Sequence, residues 1–259
     1  MLRCPICQEK LEKSDRQFVC PNHHSFDIAK QGYVNLSLKQ KKNQGDNKAM
    51  VQARTHFLEK DYYAFMRQEV LDLLKKYEIH SLIDLGCGQG YYTSMFQSVC
   101  DPCFGVDLSK EAVLYAAKQN KNIQYLVASI YDLPFEDACC DGVTSIFVGQ
   151  ADQEVHRVLK GQGVWITVGP GPRHCWELKE KLYQTVLENP EEQDTKEGFV
   201  LVEKKHIQKQ EKVDELWNLL EMTPYRYKSP KAGLEAVKNC SSLDVTFEFV
   251  IRCWRKYEN

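Results

Sequence analysis

Sulfur and nitrogen donors crowd the first 24 residues. Cys4 and Cys7 are separated by two residues, Cys20 follows after twelve more, and His23 and His24 close the stretch. A C-x2-C turn aims two thiolates at one point, and a third thiolate with one imidazole completes the tetrahedron that zinc prefers. Neighbours on a strand face opposite ways, so only one of the two histidines should bind. Four protein ligands leave no open position, which makes such a site structural rather than hydrolytic. The chain has eleven cysteines, an odd number that fits clustered metal-binding thiols better than a disulfide framework. Cys100 and Cys103 repeat the two-residue gap without a partner pair, and they read as core or loop thiols, as do Cys139 and Cys140.

A second constellation is DLGCGQG, where Asp84 leads into Gly86, Gly88 and Gly90. Glycines at this spacing allow a tight turn whose backbone approaches a ligand closely, although Tyr91 stands where the dinucleotide fingerprint has its third glycine. Asp107 lies 23 residues after Asp84, at the end of the next apolar run, where a carboxylate can accept both hydroxyls of an adenosine ribose. LVAS ends the third run and puts Ala128 and Ser129 where an adenine edge would lie.

These groups need a scaffold. AMVQARTHFLEK and YYAFMRQEVLDLLKKY carry apolar residues at helical spacing. From SLIDL onward, short apolar strands alternate with helices: PCFGVDL, SKEAVLYAAKQ, NIQYLVAS, DGVTSIFV, DQEVHRVLK and GVWITVG. Repeated strand–helix units predict an α/β fold, a Rossmann-like parallel sheet with helices on both faces and ligand at the carboxyl ends of the strands. QEKLEKSDRQFV reads as two strands around a polar turn, the hairpin of a small N-terminal zinc ribbon. The expected organisation is a ribbon over 1–36, a basic linker over 37–48 and the sheet domain over 49–259.

Charge follows that division. Residues 1–48 carry nine Lys/Arg against five Asp/Glu, while the rest of the chain is net acidic. A basic N-terminal piece, with Lys41 and Lys42 in its linker, suits a polyanion. No apolar run approaches a membrane span and no apolar leader is present, so a cytoplasmic protein is expected.

The glycine turn with its two strand-end carboxylates resembles the class I methyltransferases over about residues 49–168, and that resemblance implies S-adenosylmethionine as cofactor. Two acceptor classes fit poorly. The residues after the fourth strand are FVGQ, not the Asn/Asp-Pro-Pro-aromatic stretch of adenine amino-methylating enzymes, and the Pro102–Cys103 pair sits on the wrong edge of the sheet for a pyrimidine C5 adduct.

CPIC, CPNHHSFDIAKQGYVNL, DLGCGQGYYT, LPF, GPGPRH and LLEMTPY together resemble the RlmA-type 23S ribosomal RNA (guanine-N1)-methyltransferases, from residue 1 to about residue 254. The resemblance implies that Cys4, Cys7, Cys20 and His24 hold zinc, and that the ribbon recognises a hairpin loop of 23S RNA. It also implies that Tyr63, Gly88, Gln89 and His174 contact the cofactor; Gln89 stands where some relatives have Glu. A guanine N1 must lose its proton, and no residue is singled out as the base. Tyr225, Arg226, Tyr227 and Lys228 interleave rings and cations, either for RNA or as a loop with a packed Tyr. A dimer would help span a large RNA.

Overall fold

A computed structural model describes residues 1–38 and 47–257. The N-terminal piece is a three-stranded antiparallel sheet of β1 (Glu12–Ser14), β2 (Gln17–Val19) and β3 (Ser25–Asp27). Asp15, a residue tolerant of left-handed backbone, turns β1 into β2 at φ 52°. β4 (Val34–Asn35) then leaves the ribbon and pairs in parallel with β7 (Gln124–Val127), so the ribbon's last segment is an edge of the large sheet.

That sheet has eight strands. Besides β4 and β7 it holds β5 (Leu82–Leu85), β6 (Cys103–Asp107), β8 (Cys140–Ile146), β9 (Leu159–Pro170), β10 (Phe199–Val213) and β11 (Leu243–Lys256), in the order β10-β11-β9-β8-β5-β6-β7-β4. The run from β4 to β9 is parallel, as expected; β11 and β10 are antiparallel additions to one edge. Every residue of β5 is buried, the pattern of a parallel strand covered on both faces.

Helices α1 (Lys48–Glu59), α2 (Ala64–Lys76), α3 (Thr93–Phe96), α4 (Lys110–Gln119), α5 (Asp152–Val158), α6 (Trp176–Leu182), α7 (Leu216–Glu221), α8 (Tyr225–Lys228) and α9 (Lys231–Lys238) complete the fold. Asn47 caps α1 by accepting from the Met50 amide at 3.0 Å, and Ser109 caps α4 by accepting from the Ala112 amide at 3.2 Å. α3 is one turn long. Among the described residues no helix is long and apolar enough to cross a membrane.

Two apolar cores sandwich the sheet. One contains Phe57, Met66, Phe96, Tyr125, Phe247 and Phe249. The other contains Ile83, Val106, Leu126, Phe135 and Trp165, and continues without a break into Leu2, Leu11, Phe18 and Cys20 of the ribbon. The seam is also hydrogen-bonded. The Arg3 amide donates to the Pro134 carbonyl (3.0 Å), the Glu136 amide to the Met1 carbonyl (2.8 Å), and the Met1 amine pairs with Glu136 at 2.6 Å. Arg157 holds the docking loop from behind, donating to the carbonyls of Leu133 (2.9 Å) and Phe135 (2.7 Å) and to Glu154 and Asp137.

LENPEEQDTKEG lies outside regular structure apart from one bridge at Lys196, as its polarity suggests. It is nonetheless anchored: buried Arg252 donates to Asp194 (2.7 Å) and to the Glu192 carbonyl (3.0 Å), and Lys179 reaches Asn189 at 2.8 Å.

Candidate functional site

The ribbon brings its four ligand atoms within 4.8 Å of one another: the sulfurs of Cys4, Cys7 and Cys20 and an imidazole nitrogen of His24. His24 Nδ1 is 3.5 Å from Cys4 Sγ and 3.4 Å from Cys20 Sγ, and Cys7 Sγ is 3.6 Å from Cys20 Sγ. A tetrahedron built on a zinc–sulfur bond of about 2.3 Å has edges of about 3.8 Å, so the cluster has the size of a zinc site. His23 is turned away: it occupies the left-handed region at φ 61°, is exposed, and belongs to a turn in which its amide bonds the Cys20 carbonyl. Burial pushes the Cys4 thiol up, which the Ile6 amide pointing at its Sγ (3.4 Å) partly offsets, while the Glu9 backbone N–H holds the Cys7 thiol down to about 6 and favours its thiolate.

The second site forms where β5 turns into α3. Gly88 and Gly90 adopt φ of 54° and 82°. A Cβ at Gly90 would meet Tyr125 at 2.6 Å, so that glycine serves packing. A Cβ at Gly88 would have only the Arg54 guanidinium of α1, at 3.7 Å, within reach, so the Cα side of that residue is open. At Gly86 the added carbon would lie 2.7 Å from Val148, which brings the end of β8 against the turn. The Gly88 amide donates to Asp107 Oδ2 at 2.9 Å and the Ser109 amide to Oδ1 at 2.7 Å, fixing the carboxylate at the rim. The Ala128 amide donates to the Asp107 carbonyl (3.1 Å), and half-buried Ser129 follows.

Asp84, expected to face the cofactor, is placed beneath the turn. Its oxygens accept from Thr93 (2.5 Å) and Thr144 (2.7 Å), and burial raises its carboxyl to about 6. These bonds tie α3 and β8 to β5.

Tyr63 and His174 meet each other, with Tyr63 Oη 3.4 Å from His174 Nε2. His174 Nδ1 lies 3.0 Å from the Glu248 carbonyl and 3.3 Å from the Glu248 amide. The carbonyl can only accept, and its contact is shorter, so Nδ1 carries the proton and Nε2 accepts from Tyr63. Burial lowers His174 to about 4, so it is neutral near pH 7. Tyr63 packs edge-on to Phe247 and Phe249, with centroids at 5.0 and 4.9 Å. Gln89 is buried, and its Nε2 has no hydrogen-bond partner among the described residues.

Tyr225 to Lys228 form α8. Arg226 bonds Glu221 and stacks on Trp217, Tyr225 is half-buried against Lys179, and Tyr227 is exposed. The expected linker cations Lys41 and Lys42 lie outside the described residues.

Residues 2–44 match the RlmA N-terminal zinc-ribbon family, and residues 83–167 match the methyltransferase domain family. The 23S rRNA (guanine(748)-N(1))-methyltransferase of Streptomyces fradiae is 31% identical over 188 residues, covering 70% of this chain and 67% of that protein. YxjB of Bacillus subtilis, provisionally named a 23S rRNA (guanine-N(1)-)-methyltransferase, is 28% identical across 96% of this chain and 94% of its own length. Among solved structures, YcgJ of Bacillus subtilis superposes with a TM-score of 0.51 at 18% identity, covering 74% of this chain and all of that one.

Fold and site together define a class I, S-adenosylmethionine-dependent methyltransferase carrying a structural zinc ribbon. The open cradle at Gly88, the tethered Asp107 and the orphaned amide of Gln89 suit its donor. The chain belongs to the RlmA-type 23S rRNA (guanine-N1)-methyltransferase family.

Proposed function

We propose that this enzyme methylates N1 of a guanine in a hairpin loop of 23S ribosomal RNA. The observation that carries the reading is the continuity of the metal-clamped ribbon with the sheet that bears the donor cleft: one apolar core runs through both. A small acceptor needs no such appendage, whereas an RNA needs a second grip to present a base. The names of the Streptomyces fradiae and Bacillus subtilis relatives support the same acceptor.

S-adenosylmethionine, when bound, supplies an electrophilic methyl group on a sulfonium. The chain's part is to hold and orient, which can be worth about 7–11 kcal/mol of the barrier. In this reading Asp107 accepts the ribose hydroxyls, the Gly86–Gly90 turn passes under the donor, Gln89 donates to it, and Ser129 borders the adenine. Tyr63 and neutral His174 wall the opposite side. Cys4, Cys7, Cys20 and His24 would hold zinc, whose part would be to fix the ribbon and not to act in the transfer. A loop guanine is already partly unpaired, so drawing it into a pocket costs only a few kcal/mol. His174 is too weak a base, and too buried, to take the N1 proton. The domains work as a ribbon over 1–36, a basic linker over 37–48 and a catalytic body over 49–259. In this reading the enzyme works in the cytoplasm, and a dimer would let two ribbons grip one large RNA; sedimentation of the free protein checks that state.

The direct test is transfer of a labelled methyl group from S-adenosylmethionine to 23S RNA by the purified chain, followed by digestion to nucleosides. Label in 1-methylguanosine is the expected result. Label in another nucleoside, or none, removes the reading.

A further inference from the structure

One residue beside the donor cleft is built against its own backbone preference. Phe147 directly follows β8, and its φ of 56° lies in the left-handed region. A bulky residue there is a genuine outlier whose strain the surrounding structure must offset, and such strain concentrates at binding and active sites. Glycine would sit there without strain. The chain instead keeps an aromatic ring, and that ring is 44% exposed.

The exposure is one-sided. Phe147 leans on Phe249 at 5.5 Å and lies 6.1 Å from Tyr63 and 6.4 Å from His174, so the wall of the cleft backs it. Its amide donates to the Val168 carbonyl at 3.0 Å, which anchors the strained backbone to β9. The next residue, Val148, abuts the glycine turn at Gly86. Two residues on, the Tyr131 hydroxyl packs closely over Gly149, where a Cβ would lie 2.4 Å from it. Tyr131, in the connection after β7, is itself 63% exposed, which sets a second open ring beside the loop that follows β8. Burial would stabilise both rings; their exposure beside a methyl-transfer cleft has a use only if something planar covers them.

We propose that Phe147 is the platform on which the target base of the RNA stacks, with Tyr131 at the rim of the same pocket. The proposal rests on the RNA reading above and adds the acceptor subsite to it. A purine has a flat π-face whatever its hydrogen-bonding edge, and aromatic side chains are the usual partners of unstacked RNA bases. The strained backbone is what directs the Phe147 side chain away from the path an ordinary strand end would take.

Three variants of the full chain test this: Phe147→Gly, Phe147→Ala and Phe147→Tyr. Stacking on an aromatic residue is worth enough per base that removing the ring should cut kcat/KM for the RNA hairpin by about 5- to 150-fold. Phe147→Tyr should stay within about threefold of wild type, because it keeps the ring. Affinity for S-adenosylmethionine should be unchanged throughout. Phe147→Gly should melt no lower than Phe147→Ala, since it relieves the strained φ while losing the same ring. A ring needed only for packing would instead lower the melting temperature of both and leave RNA kinetics alone. Independently of turnover, a hairpin carrying 6-thioguanosine at the methylated position should photocrosslink to the peptide containing Phe147 or Tyr131. Equal RNA kinetics in wild type and Phe147→Ala, or crosslinks confined to the ribbon, would overturn the proposal while leaving the assigned activity intact. A wild-type chain that methylates no guanine overturns both.

Discussion

Asp84 and Thr144 face each other across β5 and β8, and the threonine hydroxyl donates to the carboxylate at 2.7 Å. With Thr93 on the other oxygen, the strand-end acid is a tie between elements rather than an open ligand group. Burial raises its carboxyl from an ordinary 3.8 to about 6. That rise corresponds to about 3 kcal/mol of differential interaction favouring the protonated form. A carboxyl whose folded value lies above its unfolded one stabilises the fold fully below about pH 4 and loses that contribution as pH rises through about 6. Asp84→Asn removes the buried charge, and a threonine hydroxyl can turn to accept from the new amide. The variant should therefore melt at or above wild type at pH 7, with the gap closing as pH falls from about 6 to about 4. Calorimetry across that window checks it; a large loss of stability at pH 7 would contradict it.

Asp107 should behave in the opposite way, as a ligand group. Asp107→Ala removes the acceptor held by the Gly88 and Ser109 amides, and hydrogen bonds to a charged group are worth about 1.5–3 kcal/mol each. Titration calorimetry should show S-adenosylmethionine binding weakened by at least about tenfold. Unchanged affinity would remove the ribose role.

Metal removal separates the two sites. The purified chain should carry about one zinc, and chelation or Cys20→Ser should abolish RNA methylation. Because Leu2, Leu11 and Phe18 share a core with Phe135 and Trp165, loss of the metal should also lower the melting temperature. Donor binding should persist, since none of its residues belongs to the ribbon. Zinc content near zero would refute the cluster.

His174 should be silent in pH profiles. Its value of about 4 keeps it neutral, and the stability it contributes is present above about 6.5 and lost as pH falls towards 4. Between about pH 5 and pH 9, kcat/KM for wild type and His174→Gln should run parallel. An inflection near 6.5 in wild type that vanishes in the variant would make His174 a proton carrier after all.

Much of this is legible in the amino-acid sequence, for reasons that differ by site. The zinc quartet is local: two tight turns within 24 residues set its geometry. Spacing therefore shows the three thiolates and narrows the fourth ligand to His23 or His24, and the family resemblance selects His24. The strands β5 to β9 announce themselves as apolar runs because a parallel sheet is covered on both faces. β10 does not. It is an edge strand reading FVLVEKKHIQKQEKV, its open side studded with charge, and it has no periodicity that distinguishes it from a polar loop. The fate of Asp84 was equally hidden, because Thr144, the partner that helps consume its oxygens, lies sixty residues away. Phe147 carries no sequence signal at all, since nothing in FVGQ marks a left-handed phenylalanine.

The measurement closest to the central claim is mass mapping of 23S RNA from cells that have this chain, lack it, or carry Asp107→Ala in its place. One guanine in a hairpin loop should bear an N1 methyl group in the first strain and be unmodified in the second. In the third it should be unmodified or markedly under-modified. Identical methylation in all three strains would contradict the account.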